Sequence, residues 1–584
     1  MSTLSKYWLV RPPASPHLLR RFKGLSPVVA QVLLNRGFED PTVAQRFLYI
    51  KKPINALQAD GEMKDVRKAA LRLKQAIQQR EKIIIYGDFD ADGVTSTVLM
   101  VEVLQALGAL VQPYIPHRVD EGYGLNSEAL YKLAADGVKV VMTVDCGIRS
   151  VQEVEDGKTA GLDLIITDHH SIGPDIPDAY AVVNPKQVDC NYPEDMLAGV
   201  GVAYKVAGAL LQVCYGDPNF KHSKIRDKEW IEKTLTNTLD LVAIGTVADL
   251  APLNREENRV LVRLGLEAIN SARRPGVKAL LGVCGIEAGK ATAMSIGFSL
   301  GPRINAAGRL DDAMIAYRLL AAQDEAEADG LAADLQAMNT RRQELTRAAQ
   351  AAIREQLAEE QDNHHPLIFA GGEVQPGIVG LVAGRLVEEY YRPSVVMEQG
   401  ESESRASCRS IPQFDITSAL DQCADLLVRH GGHAQAAGFT VLNENLADLK
   451  LRLLELARAT LDGQELRPTL DIDAEMDINQ LSEDMVEHLA LLEPTGYMNT
   501  SPVLMSRNVY ALEWRTVGVE GRHLKLKIAR AGKPPLDAIG FGLGDWLPQL
   551  PCHFDVAYQL EINEWNGNRS LQLNVQDIRL AGVE

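Results

Sequence analysis

The chain has 584 residues and a formal net charge of −18; it is too long for one hydrophobic core and matches roughly three or four domains. A hydrophobic fraction of 46% without any run of about twenty apolar residues argues against a membrane span. The acidic balance argues against a protein that coats nucleic acid by bulk attraction, while leaving room for a local basic groove. Seven scattered cysteines with no Cys-x-x-Cys pair, and a start at Met1–Trp8 with no signal-peptide apolar region, point to free thiols in a cytoplasmic setting and away from structural zinc.

Residues 1–60 read as a helical N-terminal extension. Helical apolar spacing runs through 27–34, with Ser26 as cap and Gly37 as stop, and packing against the next domain is the expected role. Residues 61–321 alternate helices and strands, the pattern of an α/β, doubly wound parallel sheet. The apolar runs 82–85, 138–144 and 162–167 read as buried strands, and each ends in acid or imidazole groups. The first leads into Asp88, Asp90 and Asp92, the second into Asp145, and the third into Asp168, His169 and His170. If the chain stays extended after Gly87, residues two apart point to one side and the three aspartates converge. A helix-capping role is the plain alternative for any one of them. Segment 239–249 reads as a buried helix ending in Asp249, an acid that is costly there unless paired or bound to metal. Asp240 reads as an ordinary helix residue.

Residues 322–363 form the expected connecting helix, broken at His364-His365-Pro366, where the two histidines read as a solvated helix end. Residues 364–463 read as a smaller α/β domain, with strands at 367–370 and 394–397 and a helix between them. Near its end Gly431-Gly432-His433 offers backbone N–H groups that can approach a phosphate. Residues 464–584 turn to short alternating strands with an Asn566-Gly567 hairpin signal, which suggests a β-barrel of the OB type. Tyr497, Trp514, Tyr558 and Trp565 are available there for base stacking, with core packing the commoner role of such residues.

Asp88, Asp90, Asp92, Asp145, Asp168, His169, His170 and Asp249 are too many ligands for one ion and suit two ions sharing a carboxylate. Carboxylates with imidazole suit Mn²⁺ or Mg²⁺, and the histidines tilt the choice towards Mn²⁺. Two ions about 4 Å apart activate water and offset charge on the attacking and leaving oxygens, so metal-dependent hydrolysis of a phosphate ester or phosphodiester follows.

In chain order, Asp88-Phe89-Asp90-Ala91-Asp92-Gly93, Val144-Asp145-Cys146-Gly147, Asp168-His169-His170 and the later Asp249 resemble the motifs of the DHH phosphoesterases. The Gly431-Gly432-His433 segment resembles the DHHA1 domain that accompanies them. Segments 115–125, 184–186, 197–203, 301–310 and 563–567 extend the likeness over residues 20–580, towards the family's single-strand-specific 5′→3′ DNA exonucleases. That resemblance implies a single-stranded DNA substrate with a 5′ end, release of 5′-mononucleotides, and two Mn²⁺ (or Mg²⁺) ions. Asp90, Asp92, Asp145, His169 and Asp249 would be metal ligands; Asp88, Asp168 and His170 would be ligands or orienting catalytic groups. Arg118, Arg303, Asn305, Ser407, Arg409 and His433 would contact substrate. It also implies a monomer working in recombination and mismatch repair with helicase and single-strand-binding partners. A DHH oligoribonuclease or cyclic-dinucleotide phosphodiesterase, or an inactive replication scaffold, are the alternatives. Two segments, 374–377 and 494–500, depart from the family pattern.

Overall fold

A computed structural model describes residues 5–49, 63–359 and 365–582, apart from residues 119, 123, 531, 533 and 566. Its organising element is a five-stranded parallel sheet in the spatial order Leu110–Tyr114, Lys82–Gly87, Val138–Val144, Asp163–Thr167, Ala181–Val183. The strands are β-branched because a parallel sheet is covered on both faces. Ile83 and Ile85 enter one layer, with helices Val66–Gln79, Ala91–Ala106 and Gly199–Tyr215. Ile84 and Tyr86 enter the other, against Ser127–Ala135 and Val151–Thr159. The order of connection reverses between Lys82–Gly87 and Val138–Val144. Crossovers leave to opposite sides there, which opens a crevice at the strands' carboxyl ends.

Helix Glu325–Glu359 spans 35 residues, roughly 50 Å at 1.5 Å per residue. It buries Ala328, Ala332, Leu335 and Asn339 in its first half and Thr346, Gln350, Ile353 and Leu357 in its second, at helical spacing, with its other faces more open to solvent. Of the two histidines beyond it, His364 lies outside the described residues, and the backbone oxygen of His365 accepts a bond from Arg392 of the second domain. That domain is a mixed sheet ordered Leu427–His433, Ala436–Leu442, Glu403–Arg409, Ser394–Gln399, Ile368–Gly372, with only the last pair parallel. Gly431-Gly432-His433 therefore lies in an edge strand and not in a phosphate-wrapping loop.

In the C-terminal domain, strands Leu504–Val517, His523–Ala529, Leu536–Gly540, Asn568–Leu580 and Phe554–Trp565 pair in turn, and the last returns to the first, closing a five-stranded barrel. Tyr558 is buried and shares a hydrogen bond with Ser506, whereas Trp514 and Tyr497 are exposed. The N-terminal extension departs from expectation in two ways. Tyr7–Val10 is a strand, paired in parallel with Thr469–Ile472. The apolar stripe Val28, Val29, Val32 and Leu33 enters the core of the C-terminal barrel and not that of the neighbouring α/β domain. Complementary apolar faces, not nearness in sequence, decide which surfaces meet. Arg259, 1% exposed, locks the arrangement. It donates to the carbonyls of Phe47, Leu491, Glu493 and Pro494, and its guanidinium sits 3.9 Å from the centre of the Phe47 ring. The departing segment 494–500 takes part, since the Tyr497 carbonyl accepts from Leu253 N–H and the Asn499 side chain accepts from Arg36.

Candidate metal centre

The acids predicted from strand ends meet in the crevice at the reversal point. Asp88 follows directly on Lys82–Gly87. Asp90 is the N-cap of Ala91–Ala106, its carboxylate accepting from the N–H groups of Asp92 (2.9 Å) and Gly93 (3.1 Å). Asp92 lies in the helix's first turn, so the three aspartates do not share one side of an extended run as the alternation suggested. The chain turns into helix at Asp90 because its capping bonds and Gly93 favour that turn. Capping and clustering thus coexist. The ligand atoms fall into three overlapping groups, each within 4.8 Å: Asp88, Asp90 and Asp145; Asp145, His169 and His170; Asp92, His169 and Asp249. Asp145 and His169 each belong to two of them. His169 Nε2 stands 3.1 Å from Asp145, 3.6 Å from Asp249 and 3.9 Å from Asp92.

Three buried atoms in this cluster have no hydrogen-bond partner: Asp88 Oδ1, Asp145 Oδ1 and His169 Nε2. Unpaired buried polar atoms are expensive, and here they converge. Burial, and then neighbouring carboxylates, push Asp88 and Asp145 well above the usual carboxylate range and raise Asp92 to about 7 and Asp249 to about 8. Burial, and then His170, depress His169 to about 3, which keeps its ring neutral and able to ligate. These oxygen and imidazole donors fit one or more divalent cations.

His170 behaves in the opposite way. Burial would lower its pKa, but the bond from Nδ1 to Asp168 (2.7 Å) raises it to about 9. Asp168 in turn is held low against its burial by that ring and by N–H groups of His169, His170 and Ile148. It is the carboxylate that orients the histidine pair.

Further supports were not singled out from sequence. Helix Gly199–Tyr215 aims its N-terminus at Asp92, with Gly199 N–H at 2.7 Å and Val200 N–H at 2.9 Å from its two oxygens. Asn184 donates to the His170 carbonyl, and the amine of Lys186, its pKa pulled down by burial, faces Asp249. The only sequence signal for these groups was the family likeness of segments 184–186 and 197–203. At Gly199 a Cβ would stand 2.6 Å from that of Asp145. Gly199→Ala is therefore expected to leave the fold intact and weaken Mn²⁺ binding roughly 10–100-fold, the effect of disturbing a ligand's supports, as read by calorimetric titration.

The residues expected on substrate are placed unevenly. Arg118 lies at the centre's edge, 4.5 Å from the Phe89 ring and attracted by Asp88 and Asp90. Ser407 and Arg409 stand together on strand Glu403–Arg409, joined by a 3.1 Å bond. His433 joins His170, Ser150 and Ile148 around a 370 Å³ cavity between the two α/β domains. Arg303 bonds Gln336 and the Ser299 carbonyl, outside the cluster. The Asn305 amide oxygen accepts from Ala91 N–H at 2.7 Å and so braces the aspartate turn. Asp240 is bound by Arg274 at 2.7 Å, away from the centre.

Comparison with known proteins agrees with this architecture. Residues 82–246 match the model of the DHH family N-terminal domain, 364–460 the DHHA1 domain and 472–577 the RecJ OB domain. The chain is 38% identical over 561 residues to the single-stranded-DNA-specific exonuclease RecJ of Bacillus subtilis, covering 95% of this chain and 68% of that protein. It is 34% identical to the protein of the same name from Salmonella typhimurium over 580 residues, 95% of this chain and 96% of that one. The crystal structure of RecJ from Thermus thermophilus in complex with Mn²⁺ superposes with a TM-score of 0.81 at 30% identity, covering 99% of this chain and 80% of that one; the Mg²⁺ complex gives 0.77. Matched by all three domain models and by these relatives along nearly its whole length, the chain belongs to the RecJ family of DHH-domain exonucleases.

Proposed function

We propose that this chain removes 5′-mononucleotides from the 5′ end of single-stranded DNA, using two divalent ions, Mn²⁺ or Mg²⁺. The observation that carries the chemistry is the convergence of the unpartnered Asp88, Asp145 and His169 atoms in the crevice at the strands' carboxyl ends. The Asp88, Asp90 and Asp145 group and the Asp92, His169 and Asp249 group, with Asp145 3.1 Å from His169 Nε2, support two ions sharing Asp145 without calling on His170 as a ligand. The substrate class rests on relatives named for single-stranded DNA that match along nearly the whole chain. The N-terminal extension and barrel, which a small-substrate phosphodiesterase does not need, support it too, and the complete ligand set disfavours a scaffold.

Bound ions supply a water of lowered pKa and offset negative charge on the phosphoryl oxygens. Arg118, Ser407 and Arg409 hold the terminal phosphate, fixing which bond enters the crevice. Water attacks phosphorus, the bond to the 3′ oxygen of the first nucleotide breaks, and that oxygen takes a proton. His170, kept protonated by Asp168, is the nearby group able to give one. A duplex is much wider than a single strand and would not fit between two domains tied by one helix, which supports preference for a single strand. A monomer in the cytoplasm, serving recombination and mismatch repair beside helicase and single-strand-binding proteins, completes the proposal. No helix among the described residues is long and apolar enough to cross a membrane.

Digestion of 5′-labelled and 3′-labelled single strands and duplexes in Mn²⁺ tests this reading. Early release of the 5′ label from single strands is expected; first release of the 3′ label, or equal cutting of duplex, overturns it.

A further inference from the structure

The two helices that carry Asp92 and Asp249 are tied together again at their ends remote from the metal centre. Helix Ala91–Ala106 holds Asp92 in its first turn and Glu102 ten residues further on. Helix Leu239–Ala248 holds Asp240 in its first turn and is capped at its end by Asp249. At 1.5 Å per residue, each helix sets its remote acid roughly 14–15 Å from the one at the centre. Arg274, the N-cap of helix Pro275–Val283, joins the remote pair. Its Nε donates to Asp240 at 2.7 Å, its Nη2 to Glu102 at 3.1 Å, and its Nη1 to Glu102 and the Leu320 carbonyl. Nη2 also reaches the Asn237 carbonyl at 3.1 Å, so all three nitrogens donate.

Near the centre the same helices press together at Gly245. A Cβ there would stand 2.5 Å from Thr95 Oγ1 and 2.7 Å from Asp92 Oδ1, and the Gly245 carbonyl accepts from Asp249 N–H at 2.9 Å. Two rods touching at one point can pivot; a second tie at a distance stops them. Gly245 lies five residues from Asp240 and four from Asp249. Slack of about 1 Å at Arg274 would thus swing Asp249 by roughly 0.8 Å. That exceeds the tolerance of about 0.2 Å in a metal–ligand bond. Apolar packing does not set the spacing at the remote ends, because a 720 Å³ cavity lined by Glu102, Asp240 and Arg274 opens there. Stability alone is a weak reason for the cluster. Arg274 and Asp240 are 9% and 7% exposed, and drawing such charges out of water costs about what their attraction returns.

We propose that Arg274 is a positioning residue of the metal centre: its fork on Glu102 and Asp240 fixes the separation of Asp92 and Asp249, which share one ligand group. The inference rests on the metal reading above. Arg274, Glu102 and Asp240 act through the helices, since none of the three stands in the ligand groups.

Calorimetric titration of the full-length protein with Mn²⁺ tests this. Arg274→Lys keeps the charge but loses the fork. It is expected to weaken Mn²⁺ binding roughly tenfold, as disturbing a ligand's supports does. Glu102→Gln releases helix Ala91–Ala106 while Arg274 and Asp240 stay paired, and should act in the same direction. In both variants cleavage of a single strand should slow at limiting Mn²⁺ and recover in excess Mn²⁺, with KM for the strand unchanged. Arg354→Lys is the comparison, because its fork on Glu389 joins two helices that carry no metal ligand. It should lower the melting temperature without moving Mn²⁺ affinity. Unchanged affinity in Arg274→Lys, or an equal loss in Arg354→Lys, overturns the positioning role alone; if Arg274→Lys does not fold, Glu102→Gln decides in its place. A parent protein that binds no Mn²⁺ overturns the metal reading and the positioning role with it.

Discussion

Asp145→Ala is expected to abolish cleavage, to leave single-strand binding largely intact, and to make the metal-free protein more stable. Asp145 belongs to two of the three ligand groups, so its loss disturbs both of those groups. If the ions supply several kcal/mol of transition-state stabilisation, losing about 4 kcal/mol slows turnover roughly a thousandfold. The strand is gripped mainly through phosphates on other residues, so its affinity should change little. Stability moves the other way. The Asp145 carboxyl is buried beside other acids and carries an unpartnered oxygen. Removing that charge relieves repulsion, and a gain of about 1 kcal/mol would raise the melting temperature by a few degrees. Stopped-flow cleavage, anisotropy and calorimetry with and without Mn²⁺ check the three parts. Persistent turnover would remove Asp145 from the metal site.

Metal binding is expected to strengthen steeply with pH and to release protons. In the metal-free protein Asp92 is raised to about 7 and Asp249 to about 8, burial being the first cause for each. A carboxyl raised on folding is protonated in the native state where the unfolded chain is already ionised. The native state then binds more protons, and stability falls as pH rises from about 4 through 8. A cation reverses this penalty by replacing the protons. Mn²⁺ affinity should therefore rise by up to about tenfold per pH unit for each proton displaced between pH 6 and 8, flattening above. The Mn²⁺-induced rise in melting temperature should grow over the same interval. Titration in buffers of differing ionisation heat counts the protons. A pH-independent affinity would show that these acids are already ionised without metal.

The sheet and its acids were readable in sequence because parallel strands are long apolar runs, and an acid directly after one has few structural uses. Asp145 and Asp168 were found on that ground, and Asp249 because a buried helix end rarely tolerates a charge. The alternation of Asp88, Asp90 and Asp92 picked out residues that the structure clusters with other donors, but not for the reason given, since the helix begins at Asp90 and divides them between groups. Backbone donors such as Gly199 and Val200 N–H leave no side-chain signal. Asn305, expected on substrate, is found bracing Ala91, because a motif marks a position without saying which neighbour its amide will meet. Strand Tyr7–Val10, four residues long, is too short for its period to be recognised, and its partner lies more than 450 residues away.

That last pairing has a consequence for the order in which the molecule is made. During synthesis helices Pro27–Asn35 and Pro41–Tyr49 emerge with their apolar faces uncovered, long before the barrel that receives them is translated. The two α/β domains can complete their cores in the interval, since their contacts are local by comparison. A greasy surface made early is thus buried late, and Arg259 finds its four carbonyl partners only when segments on both sides of the two α/β domains have been made.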